Sequence, residues 1–97
     1  MAFRIILSAL ALNELESAVD WYNGREENLG KRFIESVEER LVLLFRTPGL
    51  FPIKSSGYNE LLVEKFPYLI VYRIVNKTKT VRVLHIFHTK RDPAKKK

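Results

Sequence analysis

Two histidines and a group of basic residues near the C-terminus are the side chains best suited to chemistry. His85 and His88 are the only histidines, and imidazole ordinarily titrates close to neutral pH. Because imidazole can both accept and donate a proton, His88 is a candidate general acid or base. Four cations surround it in sequence and are suited to phosphate contacts: Arg73, Arg82, Lys90 and Arg91. Solubility alone explains such a set equally well.

The spacing of the two histidines argues against a shared metal ion. Residues three apart share a face of a helix but lie on opposite faces of a strand, and Val81–His88 is rich enough in β-branched residues to predict a strand. Alternation then places His85 with Val83, as a buried or half-buried structural residue, and His88 with Arg82. The sequence has no cysteine, which excludes disulfides and thiolate ligands. No metal site and no cofactor is predicted.

Other familiar catalytic patterns are missing from the sequence. The four glycines do not form a phosphate loop, and no serine lies in a GxSxG turn. Three glutamates of a predicted helix are typical of solvated charge: Glu35, Glu38 and Glu39. Three aromatic residues are able to stack on nucleic-acid bases but are more typical of a buried core: Phe66, Tyr68 and Tyr72.

The charge is concentrated at the C-terminal end. The 97 residues carry a net charge of +6, of which residues 73–97 contribute +8 and residues 1–72 contribute −2. This asymmetry predicts a polyanion or an acidic protein as partner. Length and composition predict one domain over residues 1–93 and a basic flexible tail over residues 94–97. No apolar run is long enough for a membrane span or a secretion signal, which predicts a cytoplasmic protein.

The N-terminal half predicts a strand followed by two helices. Phe3–Leu7 is short, apolar and β-branched, and Ser8 is suited to cap a helix. Apolar residues then recur every three or four positions: Leu12, Leu15, Val19 and Tyr22. A second helix is predicted to begin at Asn28 and to end before Pro48. Its apolar stripe consists of Leu29, Phe33, Val37, Leu41, Leu44 and Phe45. The short link between them predicts an antiparallel helical hairpin.

The C-terminal half predicts three strands after a loop at Thr47–Gly57. The runs Glu60–Val63, Tyr68–Val75 and Val81–His88 are typical of strands, and a turn at Asn76–Thr80 joins the last two. The order β-α-α-β-β-β predicts an α+β fold in which the helical hairpin covers one face of an antiparallel sheet.

Motifs in the last two strands resemble the RelE/ParE superfamily, the toxins of type II toxin–antitoxin systems. One motif is FPYLIVY at residues 66–72, and the other is VRVLHIFHTKRDP at residues 81–93. The chain also resembles the superfamily in its two predicted helices: the first ends in Trp21-Tyr22, and the second begins with Leu29-Gly30. The resemblance covers residues 3–93, and the order and spacing of the motifs carry it.

The resemblance implies a small cytoplasmic toxin of the plasmid-stabilisation type, with a curved antiparallel sheet. It also implies a cognate antitoxin that wraps around the toxin in a hetero-oligomer. One branch of the superfamily cleaves mRNA in the ribosome as an mRNA interferase, and another binds DNA gyrase without being a nuclease. An inactive homologue that binds only its antitoxin is the third alternative.

The superfamily motifs also imply site residues. Carried over to this sequence, the implied catalytic residues are His88, Arg91 and Arg73. The implied nucleic-acid-binding residues are Arg73, Arg82, Lys90 and Arg91. Two departures are visible: Asn59 and Glu60 stand where many relatives have an arginine, and no aromatic residue follows His88, where nuclease members usually carry a tyrosine.

Overall fold

The computed structural model describes residues 3–51, 53–54 and 57–90, and in these it contains two α-helices and one four-stranded sheet. The elements are β1 (Arg4–Leu7), α1 (Ala9–Asn23), α2 (Leu29–Arg46), β2 (Asn59–Leu62), β3 (Tyr68–Val75) and β4 (Thr80–His88). Short 3₁₀ turns follow α2 at Pro48–Leu50 and β3 at Asn76–Thr78. The predicted α+β fold and element order are confirmed, while the predicted tail at residues 94–97 lies outside the described residues.

The sheet is mixed, with strand order β1-β4-β3-β2. β2, β3 and β4 are antiparallel neighbours as predicted, but β1 pairs in parallel with β4, from Arg4 opposite Thr80 to Leu7 opposite Val83. Parallel neighbours need a crossover connection, and the helical hairpin is part of the chain that joins β1 to the rest of the sheet. The sheet is therefore antiparallel over three strands and gains a parallel edge at β1.

The core lies between the helices and one side of the sheet, which we call the helix face. Buried helix residues meet buried strand residues there: Ala11, Ala18, Tyr22, Phe33, Val37 and Leu44 from the helices, and Leu61, Tyr68, Ile70, Tyr72, Val81, Val83 and Ile86 from the strands. The prediction that Tyr68 and Tyr72 belong to a core is therefore confirmed. Leu12 and Phe45 remain 47% and 44% exposed, because the predicted apolar stripes are wider than the surface that the hairpin buries.

Polar side chains at the two helix starts fix the hairpin on the sheet. Ser8 Oγ accepts the Ala11 N–H at 3.0 Å and donates to the carbonyl of Leu84 at 3.0 Å, so the predicted cap also ties α1 to β4. Asn28 before α2 is left-handed (φ 68°) and makes no side-chain cap. Asn23 Oδ1 instead accepts the Gly30 N–H at 2.9 Å, so the end of α1 caps the start of α2.

A bulge in β4 changes which face its residues occupy. Val71 pairs with His85 and Tyr72 pairs with Val83, so Leu84 is an extra residue with no partner in β3. Such an insertion reverses the alternation of side chains beyond it. The single alternation that the sequence analysis assumed for β4 is therefore wrong.

The reversal places the two histidines differently from the prediction, although still on opposite faces. His88 follows Ile86, which is buried in the core on the helix face, and not Arg82, which is exposed. His85 lies with Phe87 on the opposite side, which we call the outer face, whereas Val83 is in the core.

Candidate functional site

His88 ends β4 on the helix face, where neighbouring groups hold its ring. It pairs with Tyr68 across the sheet, and their ring centroids lie 5.3 Å apart at an interplanar angle of 80°. Its Nδ1 accepts the backbone N–H of Lys90 at 3.0 Å. The backbone N–H of Thr89, which lies between these two residues, donates to the carbonyl of Pro67 at 2.8 Å. His88 is half-buried, so the ring is positioned but still reaches solvent.

Arg73 and Arg82 form a basic pair on the outer face. They stand directly opposite each other in β3 and β4, and both are exposed. Like charges directly opposite each other destabilise a sheet, by up to about 1 kcal/mol. Arg82 also pairs with Ile6 of β1, which is 41% exposed. An anionic group bound at this basic pair would relieve the repulsion.

The structure does not bring the basic pair and His88 together. Arg73 lies five residues along β3 from Tyr68, the partner of His88, which is roughly 17 Å of extended strand. The two groups also occupy opposite faces of the sheet. Lys90 is exposed and lies two residues after the end of β4, where its backbone N–H donates to His88, and Arg91 lies outside the described residues.

Glu14 is a site residue that the sequence analysis missed. Its side chain is only 8% exposed, one carboxylate oxygen accepts the Ile86 N–H at 2.8 Å, and the other lies 3.5 Å from Nδ1 of His85. The His85 side chain is 30% exposed, as its predicted half-buried role requires. No sequence signal marks Glu14, because it lies off the apolar stripe of α1 and reads as surface charge.

A cleft of about 550 Å³ opens between α1 and the C-terminal end of β4. Glu14 and Trp21 line its helix side, and Tyr68, Ile86 and His88 line its sheet side. Cavities of this size with an apolar wall and a few polar groups are typical of binding sites.

The described part of the chain contains neither a metal-binding cluster nor a membrane-spanning helix. No group of three or more histidine or acidic side chains is arranged to hold a metal ion. No helix there has the length and apolar character needed to cross a bilayer.

Comparison with known proteins agrees with this fold. The family described as ParE toxin of type II toxin–antitoxin system, parDE, matches residues 5–93. The match covers most of the chain, so this protein belongs to the ParE toxin family and is a type II toxin–antitoxin toxin of the ParE/RelE group. No curated protein matches the sequence.

Three solved structures with the same fold come from two bacteria. A chain of the chromosomal ParDE toxin–antitoxin system of P. aeruginosa has a TM-score of 0.76 at 16% identity, over 90% of this chain and 96% of that one. A double arginine-to-alanine mutant of the E. coli toxin RelE in the free state gives 0.72 at 18% identity, over 99% and 93%. A chain of the intact E. coli RelBE toxin–antitoxin complex gives 0.70 at 19% identity, over 93% and 100%. The predicted RelE/ParE resemblance is confirmed.

Proposed function

We propose that this chain is a ParE-like toxin that acts by binding DNA gyrase and not by cutting RNA. The observation that carries the proposal is the separation of Arg73 from His88 by roughly 17 Å along β3, on opposite faces of the sheet. The family match over residues 5–93 supports treating residues 1–93 as one toxin domain. Gyrase is a cytoplasmic target, which agrees with the location predicted from the sequence.

RNA cleavage through the 2′-hydroxyl needs several groups around one phosphate. A base removes the proton of the hydroxyl, an acid protonates the leaving oxygen, and cations stabilise the charge that develops on the phosphate. Each group must come within hydrogen-bond distance of its reacting atom, about 3 Å. His88 and Arg73 are too far apart to act on the same phosphate.

A binding toxin needs only a complementary surface, and the outer face offers one. Arg73 and Arg82 lie side by side and are exposed. Their mutual repulsion lowers the stability of the sheet, and an anionic partner offsets this repulsion. Because gyrase binds DNA, a toxin that binds gyrase meets DNA phosphates as well as protein side chains. We assign contact with this target to the basic pair, and we assign neutralisation to a cognate antitoxin in a hetero-oligomer.

The competing function is an mRNA interferase that acts in the ribosome. In that account His88 transfers a proton and Arg91 stabilises the phosphate, since both belong to the closing motif at residues 81–93. Arg73 would then act elsewhere than at the reacting phosphate.

Two assays on the purified toxin separate the alternatives. We expect it to inhibit supercoiling of relaxed plasmid by gyrase, and to leave a translated reporter mRNA intact by primer extension. Arg73→Gln/Arg82→Gln should lose the inhibition, whereas Lys77→Gln, which removes an exposed cation from the adjoining turn, should retain it. Cleavage of mRNA with normal supercoiling would overturn the proposal in favour of the interferase. No effect in either assay would identify an inactive homologue.

A further inference from the structure

We propose that Asn23, in the pair Asn23-Gly24, is a site of spontaneous deamidation, and that the helical hairpin controls the reaction. The pair lies at the junction of α1 and α2, on the helix face of the sheet. The proposal goes beyond the proposed function, because it concerns the chemistry of the chain itself and stands whether the toxin acts on gyrase or on RNA.

The sequence contains one asparagine that is followed by glycine. In deamidation the backbone nitrogen of the following residue attacks the side-chain amide carbon of asparagine, and glycine has no side chain to obstruct that attack. Asn23-Gly24 is the only such pair in the sequence. The other four asparagines precede larger residues: Asn13, Asn28, Asn59 and Asn76. Asn23 is therefore the asparagine that we expect to react fastest when the chain is unfolded.

The backbone at position 24 does not demand glycine. Gly24 has a φ of −72° and a ψ of −16°, in the right-handed region that every L-residue adopts. A Cβ there would lie 3.5 Å from the carbonyl oxygen of Trp21 and 3.6 Å from that of Asp20, which is ordinary van der Waals contact. Alanine therefore fits at this position, and Gly24→Ala is a variant that changes the reactivity without changing the fold.

The reaction replaces the side-chain amide of Asn23 in two steps. The Gly24 nitrogen loses its proton and forms a bond to Cγ of Asn23, the bond from Cγ to the amide nitrogen breaks, and ammonia leaves with a proton from solvent. Water then opens one of the two carbonyls of the resulting cyclic imide. One opening gives aspartate, and the other gives isoaspartate, in which the main chain runs through the side-chain carbon. Because hydroxide removes the first proton, the rate rises with pH.

Contacts at the junction oppose the first step in the folded protein. The Gly24 N–H, whose nitrogen is the nucleophile, donates to the carbonyl of Asp20 at 3.1 Å. Asn23 Oδ1 accepts the Gly30 N–H at 2.9 Å, which holds the side chain at the start of α2. Asn23 also ends α1, and its helical backbone must rotate before the ring closes. Deamidation therefore requires local opening of the junction, where both residues are already exposed to water.

The two products have opposite effects on the hairpin. Aspartate keeps an oxygen that accepts the Gly30 N–H and places a negative charge at the N-terminus of α2, which the helix dipole stabilises. Isoaspartate adds one carbon to the main chain between the helices and displaces that oxygen. We expect Asn23→Asp, which has the structure of the first product, to unfold at a urea concentration no lower than the wild type does. A lower midpoint would overturn this assignment.

The rate at Asn23 in the folded toxin and in concentrated urea tests the control by the hairpin. Mass spectrometry of proteolytic peptides measures it at mildly alkaline pH, with Asn13 and Asn76 as internal references. Folding should slow the reaction at Asn23 by about thirtyfold, since two hydrogen bonds must open. Hydrogen exchange of the Gly24 N–H should be slowed by no more than this factor, because the same nitrogen must be exposed and deprotonated in both reactions.

Matched variants locate the control at the junction. Gly24→Ala should slow the reaction by about tenfold, folded or in urea, because its methyl group obstructs the attack. Gly30→Ala, whose Cβ would lie 2.5 Å from Asn23 Oδ1, should accelerate it by about fivefold in the folded toxin and leave the rate in urea unchanged. Gly49→Ala is the control and should change neither rate, since a Cβ there meets no atom within 4 Å. Thermal unfolding verifies that each variant is folded, and the wild-type comparison holds even if Gly30→Ala is not.

Three results would overturn the proposal. A rate at Asn23 that is equal in the folded toxin and in urea would show that the hairpin does not control the reaction. A rate in urea no higher at Asn23 than at Asn13 or Asn76 would show that Asn23-Gly24 is not the reactive pair. A rate unchanged in folded Gly30→Ala would place the control outside the contact between Asn23 and Gly30. None of these results bears on the supercoiling assay.

Discussion

Tyr72 shows how one buried hydroxyl connects the sheet to the segment that follows α2. Its side chain is 0% exposed, and its hydroxyl donates to the carbonyl of Pro48 at 2.9 Å. We expect Tyr72→Phe to lower the free energy of unfolding by about 1–3 kcal/mol, because a buried carbonyl loses its partner. Urea denaturation followed by circular dichroism measures the change. An unchanged midpoint would mean that water replaces the lost hydroxyl.

The same tyrosine predicts a loss of stability in alkaline solution. Burial raises the pKa of Tyr72 from 10.0 to about 12. Between these values the unfolded chain releases the tyrosine proton while the folded chain retains it, so the unfolded state binds fewer protons and stability falls as pH rises. The loss between pH 10 and 12 attributable to Tyr72 is about 2–3 kcal/mol. Tyr72→Phe should show a shallower decline over this range, and an identical decline would contradict the assignment.

The helical hairpin depends on a contact between the end of one helix and the start of the next. A Cβ at Gly30 would lie 2.5 Å from Asn23 Oδ1, the atom that accepts the Gly30 N–H. Gly30→Ala should therefore destabilise the protein by about 1 kcal/mol, because the displaced amide loses this hydrogen bond. In the Asn23→Ala background the same change should be stabilising, since alanine favours helix over glycine by up to about 1 kcal/mol.

A double-mutant cycle measured by chemical denaturation tests this sign reversal. Gly49→Ala is the matched control, because a Cβ there meets no atom within 4 Å. If Gly30→Ala has the same effect in both backgrounds, Asn23 is not the reason for glycine at this position.

Secondary structure was more predictable than side-chain placement. β3 spans the predicted Tyr68–Val75, and β2 and β4 begin one residue before their predicted starts. These strands follow from local composition. The bulge at Leu84 was not predictable, because an inserted residue is visible only in the pairing of two strands. Glu14 was missed for the same reason, since its partner Ile86 is 72 residues away.

The uneven charge of the molecule predicts how its complex with an antitoxin responds to salt. Residues 73–97 carry +8 against −2 for residues 1–72. We expect the antitoxin encoded beside this gene to present acidic and apolar residues to the sheet, and its affinity to fall as salt rises from 50 to 500 mM, because mobile ions screen exposed charges. Titration calorimetry at both concentrations measures the effect.

The basic pair provides the control for that measurement. Arg73→Gln/Arg82→Gln should reduce the salt dependence while leaving the apolar contribution to affinity in place. An affinity of the wild type that does not change with salt would mean that residues 73–97 lie outside the interface.

The candidate site was predictable as residue types but not as an arrangement. The sequence identified Arg73 as a cation suited to phosphate contacts and His88 as a candidate general acid or base, and the resemblance joined them in one catalytic set. Their separation depends on strand register and on the bulge, which only the assembled sheet defines. The nuclease hypothesis therefore lacks Arg73, the cation that the resemblance had placed beside His88.

Whether His88 is dispensable decides most directly between a binding toxin and a nuclease. The measurement is growth arrest on induction of the wild type, of His88→Gln and of Arg73→Gln/Arg82→Gln, with equal amounts of folded protein verified for each. Binding through the outer face predicts that His88→Gln arrests growth like the wild type and that the double arginine variant does not. Loss of a proton-transfer group lowers a nuclease rate by about 10²–10⁴-fold. Growth arrest abolished by His88→Gln and retained by the double arginine variant would contradict the account.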